Sequence, residues 1–207
     1  MTKRWLAERK NDHYYRKAKQ MEYRSRASFK LIQIDDKFKL LKSGSIVADL
    51  GAAPGGWLQV AAERVGPKGK VVGVDLQPID PIEGVVTVQG DMRKEETVLD
   101  MLEALGGKAD VVLSDMSPKI SGSYSMDHAR SVDLCEHALE FAQKVLKAGG
   151  GAVLKIFEGD MMPEFMRRVR ASFKDVKLYG PDASRSSSSE IYIVAKDFKS
   201  EPPVRKS

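Results

Sequence analysis

The chain has 207 residues, of which 42% are hydrophobic and 30% charged, and its formal net charge is +5 at pH 7. This length fits a single globular domain, and the apolar content is enough for a sizeable core, which argues against a wholly disordered protein. The sequence has no run of about 18 apolar residues, and its N-terminus lacks the apolar segment of a secretory signal, so we expect a cytoplasmic protein without a membrane segment. One cysteine, Cys135, and three histidines argue against a disulfide and a zinc site, and we expect no metal.

The positive charge is concentrated at the N-terminus. Residues 1–30 contain ten Lys and Arg side chains and three Asp and Glu side chains, which gives a net charge of +7 and leaves −2 for the rest of the chain. Tyr14, Tyr15 and Tyr23 lie among these cations, and aromatic rings stack on bases while Lys and Arg contact phosphates. The charge alone predicts either an RNA-binding arm or a solvated, frayed terminus.

Beyond this segment, short apolar runs alternate with helical patterns. A helical stripe is formed first by Leu31, Ile34, Phe38 and Leu41. After it we predict, in chain order, strand Ser45–Leu50, helix Gly56–Val65, strand Lys70–Leu76, strand Val85–Gln89, helix Glu95–Leu105, strand Ala109–Ser114, helix Asp127–Lys147, strand Gly151–Phe157, helix Pro163–Phe173, strand Val176–Tyr179 and strand Glu190–Lys196. The first five strands are continuously apolar, as parallel strands buried on both faces are.

This alternation predicts an α/β domain with a mostly parallel seven-stranded sheet and helices on both faces. We divide the chain into a basic N-terminal arm over residues 1–24, the main domain over 25–198 and a disordered tail over 199–207. The Ser-rich run Ser184–Ser189 lies between the last two predicted strands, so we expect an exposed loop there.

A Gly-rich turn follows the first predicted strand, where residues 47–57 read VADLGAAPGGW. Small residues let backbone amides approach a ligand, and the helix N-terminus adds positive potential. Acidic residues stand at the ends of the first four strands: Asp49, Asp75, Asp91 and Asp115. Each alone is also typical of a loop or a helix cap. Because the carboxyl ends of parallel strands share one edge, the four together indicate one ligand crevice.

The sequence of the turn argues against a dinucleotide. It reads GAAPGG, which does not match G-x-G-x-x-G, and Pro54 has no N–H where a pyrophosphate needs donors. A cationic sulfonium nucleoside needs no such donors and suits an acid-lined crevice. We therefore expect S-adenosylmethionine as the cofactor, with a dinucleotide-dependent oxidoreductase as a distant alternative.

Lys155 lies within an apolar strand that reads GAVLKIF. Burial disfavours an ammonium ion, which suits a lysine that accepts a proton during catalysis. Alternatively, its amine reaches solvent at the strand end or pairs with Glu158. By themselves, Glu190 is a strand-edge charge and Lys30 an ordinary helix flank.

Taken together, these segments resemble the FtsJ/RrmJ family of ribosomal RNA 2′-O-ribose methyltransferases. The matching stretches are SRASFKL at 25–31, DLGAAPGGW at 49–57, VDLQPIDPI at 74–82, QGDMR at 89–93, LSDMSP at 113–118, LKIFEG at 154–159 and SRSSSSEIYIV at 184–194. They are colinear over nearly the whole chain. The resemblance implies a Rossmann-like class I methyltransferase fold.

The same resemblance implies the site residues and the substrate. It implies that Lys30, Asp115, Lys155 and Glu190 form the Lys-Asp-Lys-Glu tetrad of ribose methylation. Lys155 is the general base of this tetrad. The resemblance gives the S-adenosylmethionine contacts as Gly55, Trp57, Asp75, Asp91 and Asp115. The implied partner is large-subunit ribosomal RNA, at a uridine of the A-loop. From the charge distribution we expect the basic arm to bind part of this RNA, and we expect a monomer.

Two other functions stay open at this stage, namely a transfer-RNA ribose methyltransferase and a non-catalytic RNA-binding factor in ribosome assembly. Base methylation is disfavoured. Cys135, the only candidate nucleophile for cytosine C5 chemistry, lies on the apolar stripe of a predicted helix, where a core role is expected. Adenine N6 chemistry normally accompanies an Asn/Asp-Pro-Pro-aromatic motif, whereas residues 115–118 read DMSP.

Overall fold

The computed structural model of the protein describes residues 12–184 and 188–199. In chain order its elements are α1 (His13–Gln20), α2 (Ser28–Phe38), β1 (Ile46–Leu50), α3 (Gly56–Val65), β2 (Lys70–Asp75), β3 (Val85–Gln89), α4 (Glu95–Leu105), β4 (Ala109–Ser114), α5 (Tyr124–Val145), β5 (Leu146–Phe157), α6 (Met162–Ser172), β6 (Phe173–Tyr179) and β7 (Glu190–Phe198). Among these described helices, none is long and apolar enough to cross a bilayer.

The seven strands form one sheet in the order β3-β2-β1-β4-β5-β7-β6. Neighbouring strands are parallel from β3 through β5, while β7 runs antiparallel to both β5 and β6. The predicted mostly parallel seven-stranded sheet is therefore confirmed, with β7 as the one reversed strand. The strand order also reverses on either side of β1, which is where open α/β sheets have their ligand crevice.

Helices cover both faces of the sheet, as predicted. Helices α2 and α3 pack their apolar side chains on one face, in a core that includes Leu31, Leu58 and Tyr192. Helices α4, α5 and α6 pack on the other face, in a core that includes Met101 and Phe165. Because both faces of the central strands are covered, these strands carry apolar residues at successive positions.

Three predicted features differ from the structure. Strand β3 is an edge strand with Val86 exposed, so its apolar run does not mark burial on both faces. Helix α5 ends at Val145, earlier than the predicted Lys147, because β5 begins directly at Leu146 and includes the glycines expected to stop the helix. The predicted elements also lack α1.

The described part of the predicted arm, residues 12–24, packs against the main domain. Asp12 caps α1 by accepting a hydrogen bond from the N–H of Tyr15 at 3.1 Å, and Ala18 is buried beside Phe29. The Tyr23 hydroxyl donates to a carboxylate oxygen of Glu63 at 2.7 Å. Tyr23, which the sequence suggests as a contact for RNA bases, is therefore bonded within the protein. Residues 1–11, 185–187 and 200–207 lie outside the described residues, as do the predictions made for them.

Candidate active site

The sheet topology brings the predicted acids to one edge. Asp75 ends β2, Asp91 follows β3 and Asp115 follows β4, so all three stand at the carboxyl ends of strands in the same parallel part of the sheet. Asp49 differs from the expectation that it lines the crevice. It lies inside β1, paired in register with Gly73 and Leu113, and is fully buried below that edge.

Asp49 has an unusual environment for a carboxyl group. Within the described residues, neither of its side-chain oxygens has a hydrogen-bond partner. Burial raises its pKa well above the ordinary value, and the neighbouring Asp115 and Asp75 carboxylates raise it further. Its neutral form is therefore favoured in the folded chain.

The Gly-rich turn between β1 and α3 is held in a fixed shape. Gly55 has a φ of +108°, and a side chain there would approach Ile82 and Arg24 to 2.8 and 3.0 Å. This position therefore requires glycine. One oxygen of Asp75 accepts a hydrogen bond from the N–H of Ala53 at 3.0 Å, which joins the end of β2 to the turn.

Trp57, in the first turn of α3, is buried. Its indole N–H donates to the carbonyl of Ala27 at 2.8 Å, and its ring lies 5.8 Å from that of Tyr192. The indole thereby supports the segment that leads into α2.

Arg24 connects the two loops beside the turn. Its guanidinium donates to the carbonyls of Pro54, Asp80 and Pro81 at 3.3, 2.6 and 2.7 Å. The main-chain N–H of Arg24 donates to the side-chain oxygen of Gln59 on α3 at 2.8 Å. The charge of Arg24 is thus used within the protein.

Asp91 is held by its neighbour Arg93. The guanidinium donates to both carboxylate oxygens, at 2.7 to 3.2 Å, and the main-chain N–H of Arg93 donates at 3.0 Å. These side-chain hydrogen bonds are the main reason that the pKa of Asp91 falls to about 2. Asp91 is therefore a permanent anion at neutral pH.

Lys155, which is buried, and Asp115, which is partly buried, form an ion pair where β4 and β5 end. Lys155 is only 7% exposed, and its Nζ donates to the main-chain oxygen of Asp115 at 2.6 Å and lies 3.2 Å from Oδ1 of that carboxylate. The alternative that Lys155 reaches solvent or pairs with Glu158 is wrong. Asp115 fixes the direction of the amine.

Tyr192, which the sequence did not single out, completes this pair. Its hydroxyl donates to Oδ1 of Asp115 at 2.7 Å, and it is paired with Lys155 in the β5–β7 register. Burial raises the pKa of this phenol well above its usual value, and Asp115 and Glu190 add to the effect. Tyr192 therefore remains a hydrogen-bond donor. The available signal was its position two residues after Glu190, on the same face of one strand.

Lys30 and Glu190 form a second ion pair beside the first. Ser184 donates from Oγ to the Glu190 carboxylate at 2.8 Å, and the Lys30 amine lies 5.9 Å from the centre of the Tyr192 ring. Burial disfavours the Glu190 anion, but Lys30 and Ser184 outweigh this effect, so the pKa of Glu190 is lowered. The four residues of the predicted tetrad thus stand as two pairs on either side of Tyr192.

Cys135 is buried in the core, as predicted. Its thiol donates to the main-chain oxygen of Lys155 at 2.8 Å, and burial raises its pKa to about 12. A thiol in this state is not a nucleophile at neutral pH. Across residues 12–184 and 188–199, no group of three or more His, Cys, Asp or Glu side chains is arranged to hold a metal ion.

Comparison with known proteins identifies the family to which this arrangement belongs. The model of the FtsJ-like methyltransferase family matches residues 23–198. The chain belongs to this family. Members of the FtsJ-like family are methyltransferases, so the crevice beside the Gly-rich turn is where a methyl donor is expected.

Several known proteins are similar to the chain over most of its length. The ribosomal RNA large subunit methyltransferases E of Methanothrix thermoacetophila and Methanosarcina mazei are 52% and 54% identical to it. Both alignments cover 95% of this chain, and they cover 76% and 73% of those proteins. A crystal structure from Plasmodium falciparum, assigned as a ribosomal RNA methyltransferase, superposes with a TM-score of 0.77 at 32% identity and covers 85% of this chain and 98% of that one. The FtsJ-like family thus accounts for both the sheet order and the sequence motifs.

Proposed function

We propose that the protein transfers a methyl group from S-adenosylmethionine to the 2′-hydroxyl of a ribose in large-subunit ribosomal RNA, at a uridine of the A-loop. The main support is the placement of two lysine–carboxylate ion pairs, Lys155–Asp115 and Lys30–Glu190, around Tyr192 at the sheet edge that also carries the Gly-rich turn. The names of the most similar relatives agree with this substrate.

The residues of the crevice fit S-adenosylmethionine, which supplies a methyl group on a sulfonium sulfur. The carboxylates of Asp75 and Asp91 offer acceptors for ribose hydroxyls and an adenine amino group. Gly55, with its φ of +108°, gives the turn beside these carboxylates the backbone shape that only glycine adopts readily. Because the Trp57 indole N–H is already bonded to Ala27, we assign the cofactor contact of Trp57 to its main-chain N–H, which has no carbonyl partner in the first helical turn.

Asp115 and Lys155 are proposed to prepare the ribose for reaction. A 2′-hydroxyl is a poor nucleophile until it is aligned with the methyl–sulfur bond and loses its proton. Asp115 directs the Lys155 amine. Its carboxylate also adds negative charge to the crevice, which would suit a cationic sulfonium cofactor. Lys155 would be the general base that takes the proton of the 2′-hydroxyl as the methyl group is transferred to its oxygen.

Lys30 and Glu190 are proposed to orient the ribose beside this pair. All four tetrad residues come from one chain, which supports action as a monomer, and no step requires a metal. We place this reaction in the cytoplasm, with residues 1–24 contributing to RNA binding.

The proposal is tested by mapping 2′-O-methyl groups by mass spectrometry after the protein is incubated with S-adenosylmethionine and either large ribosomal subunits, free large-subunit RNA or bulk transfer RNA. We expect one new 2′-O-methyl uridine in the large-subunit RNA. Methylation of transfer RNA instead would change the substrate, and no methylation of any RNA would favour a non-catalytic role in ribosome assembly.

A further inference from the structure

Four large apolar side chains are exposed on the segments that follow β4 and β5. They are Ile120, Tyr124, Met126 and Met161, with 65%, 62%, 47% and 48% of their surface exposed. Ile120 belongs to the loop after β4, Tyr124 and Met126 to the first turn of α5, and Met161 to the loop after β5. We refer to these four residues as the apolar rim. Its segments directly follow the strands that carry Asp115 and Lys155.

Tyr124 is held in place although most of its surface is exposed. Its hydroxyl donates to the main-chain oxygen of Glu158 at 2.6 Å, which connects the start of α5 to the segment after β5. An exposed aromatic ring with a fixed orientation loses little conformational entropy when a flat ligand binds to it.

The loops on either side of Tyr124 are also tied to α5. Asp127 accepts hydrogen bonds from the N–H and the hydroxyl of Ser121 at 2.8 and 2.7 Å, which fixes the loop after β4. His128 accepts from the N–H of Met161 through Nε2 at 3.0 Å, while its Nδ1 lies 3.0 Å from the Phe157 carbonyl, which can only accept. The neutral Nδ1–H form of His128 satisfies both partners. The apolar rim is therefore a preformed surface.

The charges that flank the apolar rim along the chain are of both signs. Lys119 and Arg130 are cationic, whereas Glu158 and Asp160 are anionic. Phosphate binding depends on an excess of Lys and Arg, which this surface lacks. An exposed aromatic ring and aliphatic side chains instead suit the faces of unstacked bases.

We propose that the apolar rim binds the unpaired bases next to the target nucleotide, with Tyr124 as the stacking platform. This inference rests on the proposed function, because a ribose held at Lys155 and Asp115 brings its neighbours along the strand to the segments that follow these two residues. The hydrogen bond from Tyr124 to Glu158 and the loop ties of Asp127 and His128 hold the apolar rim on the two segments that follow Asp115 and Lys155. The phosphates are bound elsewhere, by the basic N-terminal segment.

The test compares Tyr124→Ala and Tyr124→Phe with the wild type on an RNA stem-loop that contains the target, with 2-aminopurine at the adjacent position. Leu178→Ala serves as the control, since Leu178 is an exposed apolar residue on β6, away from the apolar rim. In Tyr124→Ala we expect KM for RNA to rise on the order of tenfold, and the 2-aminopurine quenching on binding to be lost. Tyr124→Phe keeps the aromatic ring, so we expect a KM for RNA close to the wild-type value and most of the 2-aminopurine quenching.

Two further readouts separate stacking from other roles. The kcat, the affinity for S-adenosylmethionine and the salt dependence of RNA binding should stay unchanged in Tyr124→Ala, because no charge and no reacting group is removed. An unchanged KM for RNA overturns the proposal, as does a loss of kcat or of cofactor affinity without a change in KM. Wild-type self-association that disappears in Tyr124→Ala, measured by sedimentation, would assign the surface to a second copy of the chain instead.

The outcome also distinguishes this inference from the proposed function. If the wild-type protein methylates no RNA, the proposed function fails. If it methylates RNA and Tyr124→Ala behaves like Leu178→Ala, only the role of the apolar rim fails.

Discussion

Two aspartates near the crevice illustrate how local surroundings set the charge of the same side chain. Asp49 is buried without a hydrogen-bond partner among the described residues, and its pKa is raised. Asp91 is bonded by Arg93, and its pKa falls to about 2. The crevice therefore has a neutral carboxyl group beneath it and an anion at its edge, which the sequence pattern of four strand-end acids does not distinguish.

The state of Asp49 leads to a prediction about stability and pH. Its pKa is higher in the folded chain than in the unfolded chain, so unfolding releases a proton at any pH between these two values. The contribution of Asp49 to wild-type stability is most favourable below the pKa that this residue has in the unfolded chain. It becomes less favourable as the pH rises towards the pKa of Asp49 in the folded chain. We expect Asp49→Asn to remove this loss and to raise the Tm by several degrees at pH 8, with little difference near pH 4.

This prediction is checked by differential scanning calorimetry of the cofactor-free protein across that pH range. The control is Asp100→Asn, which changes an exposed carboxylate on α4 and should give a Tm difference that does not vary with pH in this way. A Tm gain for Asp49→Asn that is equal at pH 4 and pH 8 would contradict the assignment.

Lys155 provides a second prediction at the level of single residues. If its amine accepts the proton of the 2′-hydroxyl, both Lys155→Met and Lys155→Arg should lower kcat by roughly 10²–10⁴-fold, because neither side chain accepts a proton. Cofactor affinity measured by calorimetry should change little. If Lys155 acts only through its positive charge, Lys155→Arg would keep substantial activity.

The control for Lys155 lies on the same strand. Lys147 is exposed on β5 and pairs with Asp110, so Lys147→Arg should leave kcat near the wild-type value. This comparison separates the role of Lys155 from a general disturbance of β5.

At the level of elements, the segment between α1 and α2 connects the N-terminal part of the chain to the cofactor side of the crevice. Arg24 bonds three carbonyls in two loops, and Arg26 donates to the Ala183 carbonyl at 2.7 Å, next to the Ser184 that bonds Glu190. Both arginines come from a segment whose charge suggested RNA contacts. In the structure, both guanidinium groups are bonded to loops of the protein itself.

We therefore expect Arg24→Ala to weaken S-adenosylmethionine binding on the order of tenfold, because the turn and the neighbouring loop lose three hydrogen bonds. Arg24→Lys should restore only part of the affinity, since an ammonium cannot reproduce the forked geometry. Calorimetric titration measures the change. Arg167→Ala, which alters an exposed arginine on α6, is the matched control, and equal affinities for the two alanine variants would refute the role of Arg24.

Most elements could be predicted from local sequence, and the exceptions have clear physical causes. The bounds of α3, α4, β3 and β4 match the apolar periodicity because these segments have distinct Gly, Lys or Asp residues at their ends. Helix α1 was missed because Ala18 is its only buried residue, so it shows almost no apolar stripe. Its formation depends instead on the Asp12 cap and on packing against α2.

At the level of the whole molecule, the basic N-terminal charge is divided between two tasks. Arg24, Arg26 and Lys30 are bonded within the protein, whereas Arg16, Lys17 and Lys19 are exposed on α1. Residues 1–11 add four further cations and one anion. The charge available to RNA phosphates is therefore smaller than the sequence total suggests.

We expect removal of residues 1–11 to weaken RNA binding and to reduce the slope of log K against log salt by roughly 2–3. The reason is that each phosphate contact releases bound counterions, so a protein with fewer contacts releases fewer of them. Filter binding at several salt concentrations measures this slope. A full-length variant with Lys3, Arg4, Arg9 and Lys10 changed to Gln should give the same reduction. A slope that stays at the wild-type value would show that this segment does not contact RNA.

The sequence predicted where the site lies more readily than it predicted which residues form it. The Gly-rich turn and the strand-end acids indicated the crevice through local pattern. Lys30 and Glu190 became candidates only through family resemblance, because no local signal connects a helix flank with a strand edge so far apart in the chain. Tyr192 needed the antiparallel register of β7 with β5.

The reversal of β7 also has a consequence for biosynthesis. Lys30 and Glu190, from opposite ends of the chain, neutralise each other only once the last strand has been inserted between β5 and β6. Until then Lys30 faces the interior without its counter-ion, and Asp115 lacks the Tyr192 hydroxyl. A nascent chain that stops before β7 lacks Glu190, one of the four residues of the predicted tetrad, and also Tyr192. We therefore expect methyl transfer only after the last strand has been added.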